Sequence, residues 1–237
     1  MAIFGKQKNK KRDGDSDEFL LREDSSFSIQ EAYKALRTNV QFSMPGGGAK
    51  CIGITSSAQS EGKSMNTVNL AVSFGQIGKR VLLIDCDMRL PTVATKLNVP
   101  GQPGLSNVLV GESTLDKAIR SAEAEHIDVL PAGTIPPDPT SLLESEQMEK
   151  LLETVRQDYD YIFIDLPPVT TVADGLILAK HIDGFLLVVK HGQSQYRAIS
   201  AMMNQLKFAN AKVLGFIYAN APASGKKYYH GYYGYAK

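Results

Sequence analysis

Apolar residues fall along this chain in short, closely bounded runs. Cys51–Ile54, Val81–Ile84, Tyr161–Ile164 and Gly184–Lys190 are each too short for a helix and are flanked by charged or turn-forming residues. That pattern predicts strands buried on both faces of a parallel sheet. Ile127–Leu130 and Val213–Tyr218 predict two more strands. Between the runs, apolar residues recur at helical spacing. Residues 28–42 carry Ile29, Ala32, Ala35, Leu36 and Val40 in one stripe, with Ser28 and Glu31 placed to form a capping box. Val68, Leu70 and Ala71 follow the first strand, and 141–156, 172–179 and 196–208 predict further helices. Residues 91–126 are less regular, with turns at Pro103-Gly104 and Gly111 and a helix fragment over 115–119. The alternation predicts a single α/β domain: a mostly parallel sheet with helices on both faces.

The two ends differ from this middle. Residues 1–27 carry a basic cluster, Lys6, Lys8, Lys10, Lys11 and Arg12, followed by acidic residues, and predict a flexible charged arm. The cluster suits either an anionic membrane surface or plain solvation. Residues 221–237 hold Tyr228, Tyr229, Tyr232, Tyr233 and Tyr235 among glycines and lysines, half of the chain's 10 tyrosines. No period organises them, which predicts a flexible tail. The domain is expected over 28–220. A net charge of +1 gives no reason to expect nucleic acid as a partner. Cys51 and Cys86 lie inside strand-like runs with no C-x-x-C, which predicts reduced, buried thiols rather than a metal scaffold. No apolar run approaches the ~18–20 residues that span a bilayer, and no secretory leader is evident, so a cytoplasmic location is expected.

Candidate chemistry gathers where strands end. After Cys51–Ile54 come small and polar residues, then Glu61-Gly62-Lys63-Ser64, then a helix. Strand, tight loop, helix is the setting of a phosphate-binding loop, whose backbone N–H groups and helix N-terminus cradle phosphate oxygens. Ser57, Ala58, Gln59, Ser60, Glu61, Gly62, Lys63, Ser64 and Met65 are therefore expected at ATP, with Lys63 reaching the β- and γ-phosphates and the Ser64 hydroxyl on Mg²⁺. Ser57 stands where the general pattern has its first glycine. The second run ends in Asp85, Asp87 and Arg89, and the third in Asp165. Carboxylates at the C-terminal edge of a parallel sheet beside such a loop suit metal coordination and proton abstraction. Lys63 is expected to be exposed at its loop–helix junction.

In order, these segments resemble the bacterial tyrosine kinases of capsule and exopolysaccharide synthesis, in their stand-alone form, from about residue 28 to the end. EAYKALRTN resembles that family's oligomerisation helix, SSAQSEGKSMNTVNLA its Walker A region, VLLIDCDMR its second acidic motif and YIFIDLPP its Walker B. PAGTIPPDPTSLL and the terminal tyrosine cluster fit as well. The resemblance implies an ATP- and Mg²⁺-dependent protein-tyrosine kinase that phosphorylates its own tail. It implies Lys63, Asp85 and Asp87 as catalytic, with Asp85 taking the tyrosine proton. It implies Ser64, Asp87 and Asp165 around the metal, and Asn220 near the adenine. It implies Glu31, Lys34 and Arg37 at a subunit contact, giving a homo-oligomer. Its implied partners are a transmembrane adaptor, or polysaccharide co-polymerase, whose cytoplasmic tail activates the kinase, and a cognate phosphotyrosine phosphatase. The place implied is the inner face of the membrane. Three departures stand out: Gln59-Ser60 replaces Pro-Gly, Met65 replaces Thr, and Lys34 replaces an Arg. Ser60 lacks glycine's freedom at positive φ. Two other readings share the phosphate loop: a partition or division-site ATPase switch, and a non-catalytic nucleotide-binding regulator. The first carries a second lysine near the start of its loop, where this chain has Ala58.

Overall fold

The computed structural model describes residues 20–222. The apolar runs form strands β1 (Lys50–Ser56), β2 (Val81–Asp85), β4 (Ile127–Leu130), β5 (Tyr161–Asp165), β6 (Gly184–Lys190) and β7 (Val213–Ala219); a short strand, β3, spans Arg120–Ala122. The helices are α1 (Phe27–Ser43), α2 (Lys63–Gly75), α3 (Val93–Lys96), α4 (Leu105–Leu109), α5 (Leu115–Ala118), α6 (Pro139–Glu144), α7 (Glu146–Asp158), α8 (Asp174–Ile177) and α9 (Tyr196–Phe208). One sheet runs β3-β4-β2-β5-β1-β6-β7. Its pairs are parallel except β3 on β4. That antiparallel edge was not legible in the sequence, because a three-residue strand carries almost no period.

Each face of the sheet is covered. On one side, Ile52, Ile54, Leu83 and Phe163 pack against α1, α2 and α3, with Phe74 tilted 4.3 Å from the Tyr161 ring and 5.3 Å from Phe163. On the other, Leu82, Ile84, Ile162 and Leu187 pack against α4 to α9. Strand register sets the site. Ile54 and Asp85 both lie opposite Asp165, so β1, β5 and β2 end level with one another. The order of strands reverses here, and the crevice beyond such ends is where open α/β sheets bind ligands.

Several local expectations change. Leu20 and Leu21 are buried, and Leu21 N donates to Asn69 Oδ1 at 2.8 Å, so the end of the expected arm packs onto the domain at these two residues. Residues 1–19 of the expected arm, and the tail from 223 on, lie outside the described residues. The Ser28–Glu31 capping box does not form: α1 begins at Phe27, its N-cap Ser26 lying two residues before Ser28, and Glu31 pairs with Lys34 at 2.8 Å. Only Leu36 and Val40 of the predicted stripe turn inward; Ile29, Ala32 and Ala35 face solvent. The helix expected over 141–156 is two. Ser145 accepts from Met148 N and caps α7, which breaks the run after Glu144. Residues 174–181 form one turn of α-helix followed by a 3₁₀ turn.

Candidate active site

The loop between β1 and α2 is built around a carboxylate. Glu61 is 1% exposed and accepts from Ser57 N at 2.8 Å, Ala58 N at 2.9 Å and the Ser57 hydroxyl at 2.9 Å, with the Ser194 hydroxyl closing the set. Sequence reading placed Glu61 at ATP. Here its side chain faces into the loop and folds it. Two residues of the loop take left-handed backbone, Ser60 at φ 63° and Gly62 at φ 88°. Gly62 adopts this without cost; Ser60 is in the region its Cβ disfavours by about 1–2 kcal/mol. Ser60→Gly is therefore expected to raise the melting temperature by ~1–3 °C, the relief being offset in part by the freer unfolded chain. A lower melting temperature by thermal denaturation would show that Ser60 is not strained.

Beyond the loop, Lys63 meets the two acidic strand ends. Its Nζ lies 2.8 Å from Asp165 Oδ1, 3.4 Å from Asp87 Oδ2 and 3.2 Å from Ser64 Oγ. The expectation of an exposed lysine is thus corrected: Lys63 is 7% exposed, because α2 begins at this residue and directs its side chain across the ends of β2 and β5. Burial lowers the Lys63 pKa, but Asp165 and Asp87 more than compensate, so it stands above its ordinary value. Asp85 is enclosed, with its two oxygens accepting Asp87 N and Val93 N at 3.1 Å each. Burial and then the Asp165 charge push its pKa up to about 8, against the pull of Lys63. Burial also raises Asp87, with Lys63 in opposition. Asp165 Oδ1 takes a second bond from the Thr67 hydroxyl at 3.2 Å, and its Oδ2 is buried with no hydrogen-bond partner.

Other residues complete the surround. Arg89 Nε donates to Asp174 Oδ2 at 3.1 Å and its Nη2 to Thr140 Oγ1 at 3.0 Å, tying the segment after β2 to α6 and α8. Asp174 is fully buried, a partner that the sequence did not single out. Ser64 and Met65 open α2, half-buried; Ala58 and Gln59 are exposed on the loop. Asn220 follows β7, exposed at φ 54°. Glu31, Lys34 and Arg37 lie on α1; Arg37 donates to the Ser73 carbonyl of α2, within the same chain. The five tail tyrosines lie outside the described residues.

A tight loop between a strand and a helix, faced by two acidic strand ends at the edge of a mostly parallel sheet, is the arrangement of an α/β protein of the P-loop class. The AAA domain family matches residues 49–214. The chain is 39% identical over 204 residues to the tyrosine-protein kinase YwqD of Bacillus subtilis, covering 86% of each chain. Its structure is similar to the kinase domain of the Escherichia coli tyrosine kinase ETK, with TM-score 0.81, 29% identity, and coverage of 92% of this chain and 84% of that one. The septum site-determining protein MinD of Pyrococcus horikoshii, solved with Mg-ADP, is similar at TM-score 0.62 and 26% identity, over 72% of this chain and 70% of its own. The chain belongs to the bacterial tyrosine-protein kinases, and its enzymatic activity is that of a protein-tyrosine kinase. Among the described residues no helix is long and apolar enough to cross a membrane.

Proposed function

We propose that this kinase phosphorylates the tail cluster Tyr228, Tyr229, Tyr232, Tyr233 and Tyr235 of a neighbouring copy, and that the modification governs capsule or exopolysaccharide synthesis or export. The observation that carries the reading is the placing of Lys63 against Asp165 and Asp87 at the mouth of the phosphate loop. ATP is the phosphoryl donor, held by loop residues 57–65 with Asn220 toward the adenine. Lys63 leaves the carboxylates to balance charge on the transferring group. Asp85, a carboxylate at the end of β2 whose pKa is raised by burial and then by the Asp165 charge, takes the proton of the incoming tyrosine.

The site fits Mg²⁺. Asp165 Oδ2 is buried and unpartnered, and Ser64 Oγ and Asp87 lie around the same lysine. Among the described residues no three acidic, histidine or cysteine side chains form a ready cage, which suits an ion held by one or two carboxylates plus phosphate oxygens. Bound there by Asp165, Asp87 and Ser64, the ion would supply positive charge to offset that of the phosphates. The α1 surface carrying Glu31 and Lys34, with Ile29, Ala32 and Ala35 facing solvent beside them, is the contact between copies; Arg37 braces it against α2. An adaptor that crosses the membrane supplies an activating cytoplasmic tail, holds the kinase at the inner face, and a phosphotyrosine phosphatase reverses the modification.

A mixing experiment tests this. A Lys63→Met chain with its tail intact is combined with an active chain whose five tail tyrosines are Phe. Phosphate should appear on the Lys63→Met chain at a rate that rises with concentration. Absence of label in the mixture, with a concentration-independent rate in wild type, would show that each chain modifies itself.

A further inference from the structure

Four consecutive carbonyls of the phosphate loop each accept a side-chain donor. Ser57 O takes the Thr170 hydroxyl at 2.5 Å and Ala58 O the Ser56 hydroxyl at 2.8 Å. Gln59 O takes Gln193 Nε2 at 3.2 Å, and Ser60 O takes Lys190 Nζ at 3.1 Å. In a trans peptide the carbonyl and the following N–H point in opposite directions. Fixing the carbonyls of 57–60 on these donors therefore turns each N–H group of 58–61 away from the donor that holds the carbonyl before it. The first of these goes to Glu61, which leaves those of 59, 60 and 61 free of that bond and beside the α2 N-terminus. An array of inward N–H groups is what a phosphate cradle requires.

Two of the four donors come from one short turn. Lys190 ends β6, and the backbone N–H groups of Gln193 and Ser194 both return to the Lys190 carbonyl, at 3.2 and 3.1 Å. Ser194 Oγ accepts Lys190 N at 2.8 Å and also reaches Glu61. The turn thus grips the loop at Gln59, Ser60 and Glu61. The first two are the positions where this chain lacks the Pro-Gly that the resemblance implies, and Ser60 holds φ 63° without glycine's tolerance.

We infer that Lys190 and Gln193 are positioning residues that hold the phosphate loop in its ATP-binding shape, in place of the glycine missing at residue 60. Without the clamp, Ser60 relaxes to negative φ and swings the 60–61 peptide out of register. Restoring it then draws on the binding energy of ATP. A glycine at that position samples both signs of φ, so it depends less on the clamp. The inference rests on reading this loop as the ATP site.

The test is a Mg-ATP titration of the full chain, with Lys190→Met, Lys190→Gln and Gln193→Ala each made alone and combined with Ser60→Gly. Lys190→Met should raise the Kd by about ten-fold and Gln193→Ala by about three-fold, as single hydrogen bonds of this kind do. In combination with Ser60→Gly, the Lys190→Met effect should shrink to about two-fold, a coupling that a general loss of structure does not produce. Lys190→Gln retains a donor and loses the charge, so it should keep most of the affinity. In turnover assays the KM for ATP should rise while kcat at saturating ATP stays within about two-fold. Equal losses with and without Ser60→Gly, or Lys190→Gln as weak as Lys190→Met, would overturn the clamp and make Lys190 a direct cation for phosphate. Unchanged binding in Lys190→Met, with normal wild-type binding, overturns this inference alone. Failure of the wild type to bind Mg-ATP overturns the reading of the loop along with it.

Discussion

Lys63→Met should abolish autophosphorylation and, in the same variant, lower the stability of the nucleotide-free protein. The catalytic loss is set by electrostatics. A cation directed at the charge of a transferring phosphoryl group, in a site shielded from water, is worth on the order of 10²–10³ in rate or more. The stability loss follows from where the lysine sits without nucleotide. It lies between Asp165 and Asp87, beside fully buried Asp85. Removing one partner of such a buried pair costs about 3 kcal/mol or more, since it leaves charge uncompensated. For a domain of this size that is roughly 6–12 °C in melting temperature. Phosphotyrosine is read at 25 °C, with circular dichroism confirming that the variant is folded there. Wild-type phosphotyrosine in the folded variant would refute the role in transfer. An unchanged melting temperature would refute the paired resting state.

The second large effect is on stability against pH. Asp85 has its pKa at about 8 in the folded protein against an ordinary 3.8. Between those values the folded chain holds a proton that the unfolded chain has lost, so stability falls as pH rises. The contribution is fully present below about pH 4 and is gone above about pH 8. Asp87, also raised, acts in the same direction. His181, lowered by burial, acts oppositely near its usual range, so pH 7–8 is the cleaner part of the window. With chelator present, each pH unit there should cost about 1 kcal/mol, or ~2–4 °C. Asp165 is the second-largest cause of the Asp85 shift, after burial, so Asp165→Asn should flatten the slope. Mg²⁺ with ATP should flatten it too, by stabilising the charged carboxylates. Melting curves from pH 6 to 8.5 measure this. A flat wild-type curve, or an unchanged slope in Asp165→Asn, would contradict it.

The sheet and its chemical edge were legible because they depend on local pattern. Six apolar runs bounded by charged or turn-forming residues became six strands within two residues at each end, and helix 196–208 formed as its spacing predicts. The acidic residues at the ends of β2 and β5 are read directly, since a strand delivers its next residues to one edge. The short strand β3, the break at Ser145 and the single turn of α8 were not legible, because each is decided by a cap or a neighbour rather than by a period.

Residue types and their order along the chain determined the fold class, the phosphate loop and the identity of Lys63, Asp85, Asp87 and Asp165. How those groups are used at rest was decided only in three dimensions. The register that sets Asp85 opposite Asp165 brings two carboxylates together in a buried place, and Lys63, 2.8 Å from Asp165, sets a positive charge against them. Likewise, Ser60 reads in sequence as a loss of freedom. The bonds from Lys190 and Gln193, more than 100 residues away along the chain, hold the loop in shape despite it. A strained loop and a distant turn carry no shared pattern in the sequence; only the packing of β6 beside β1 places one against the other.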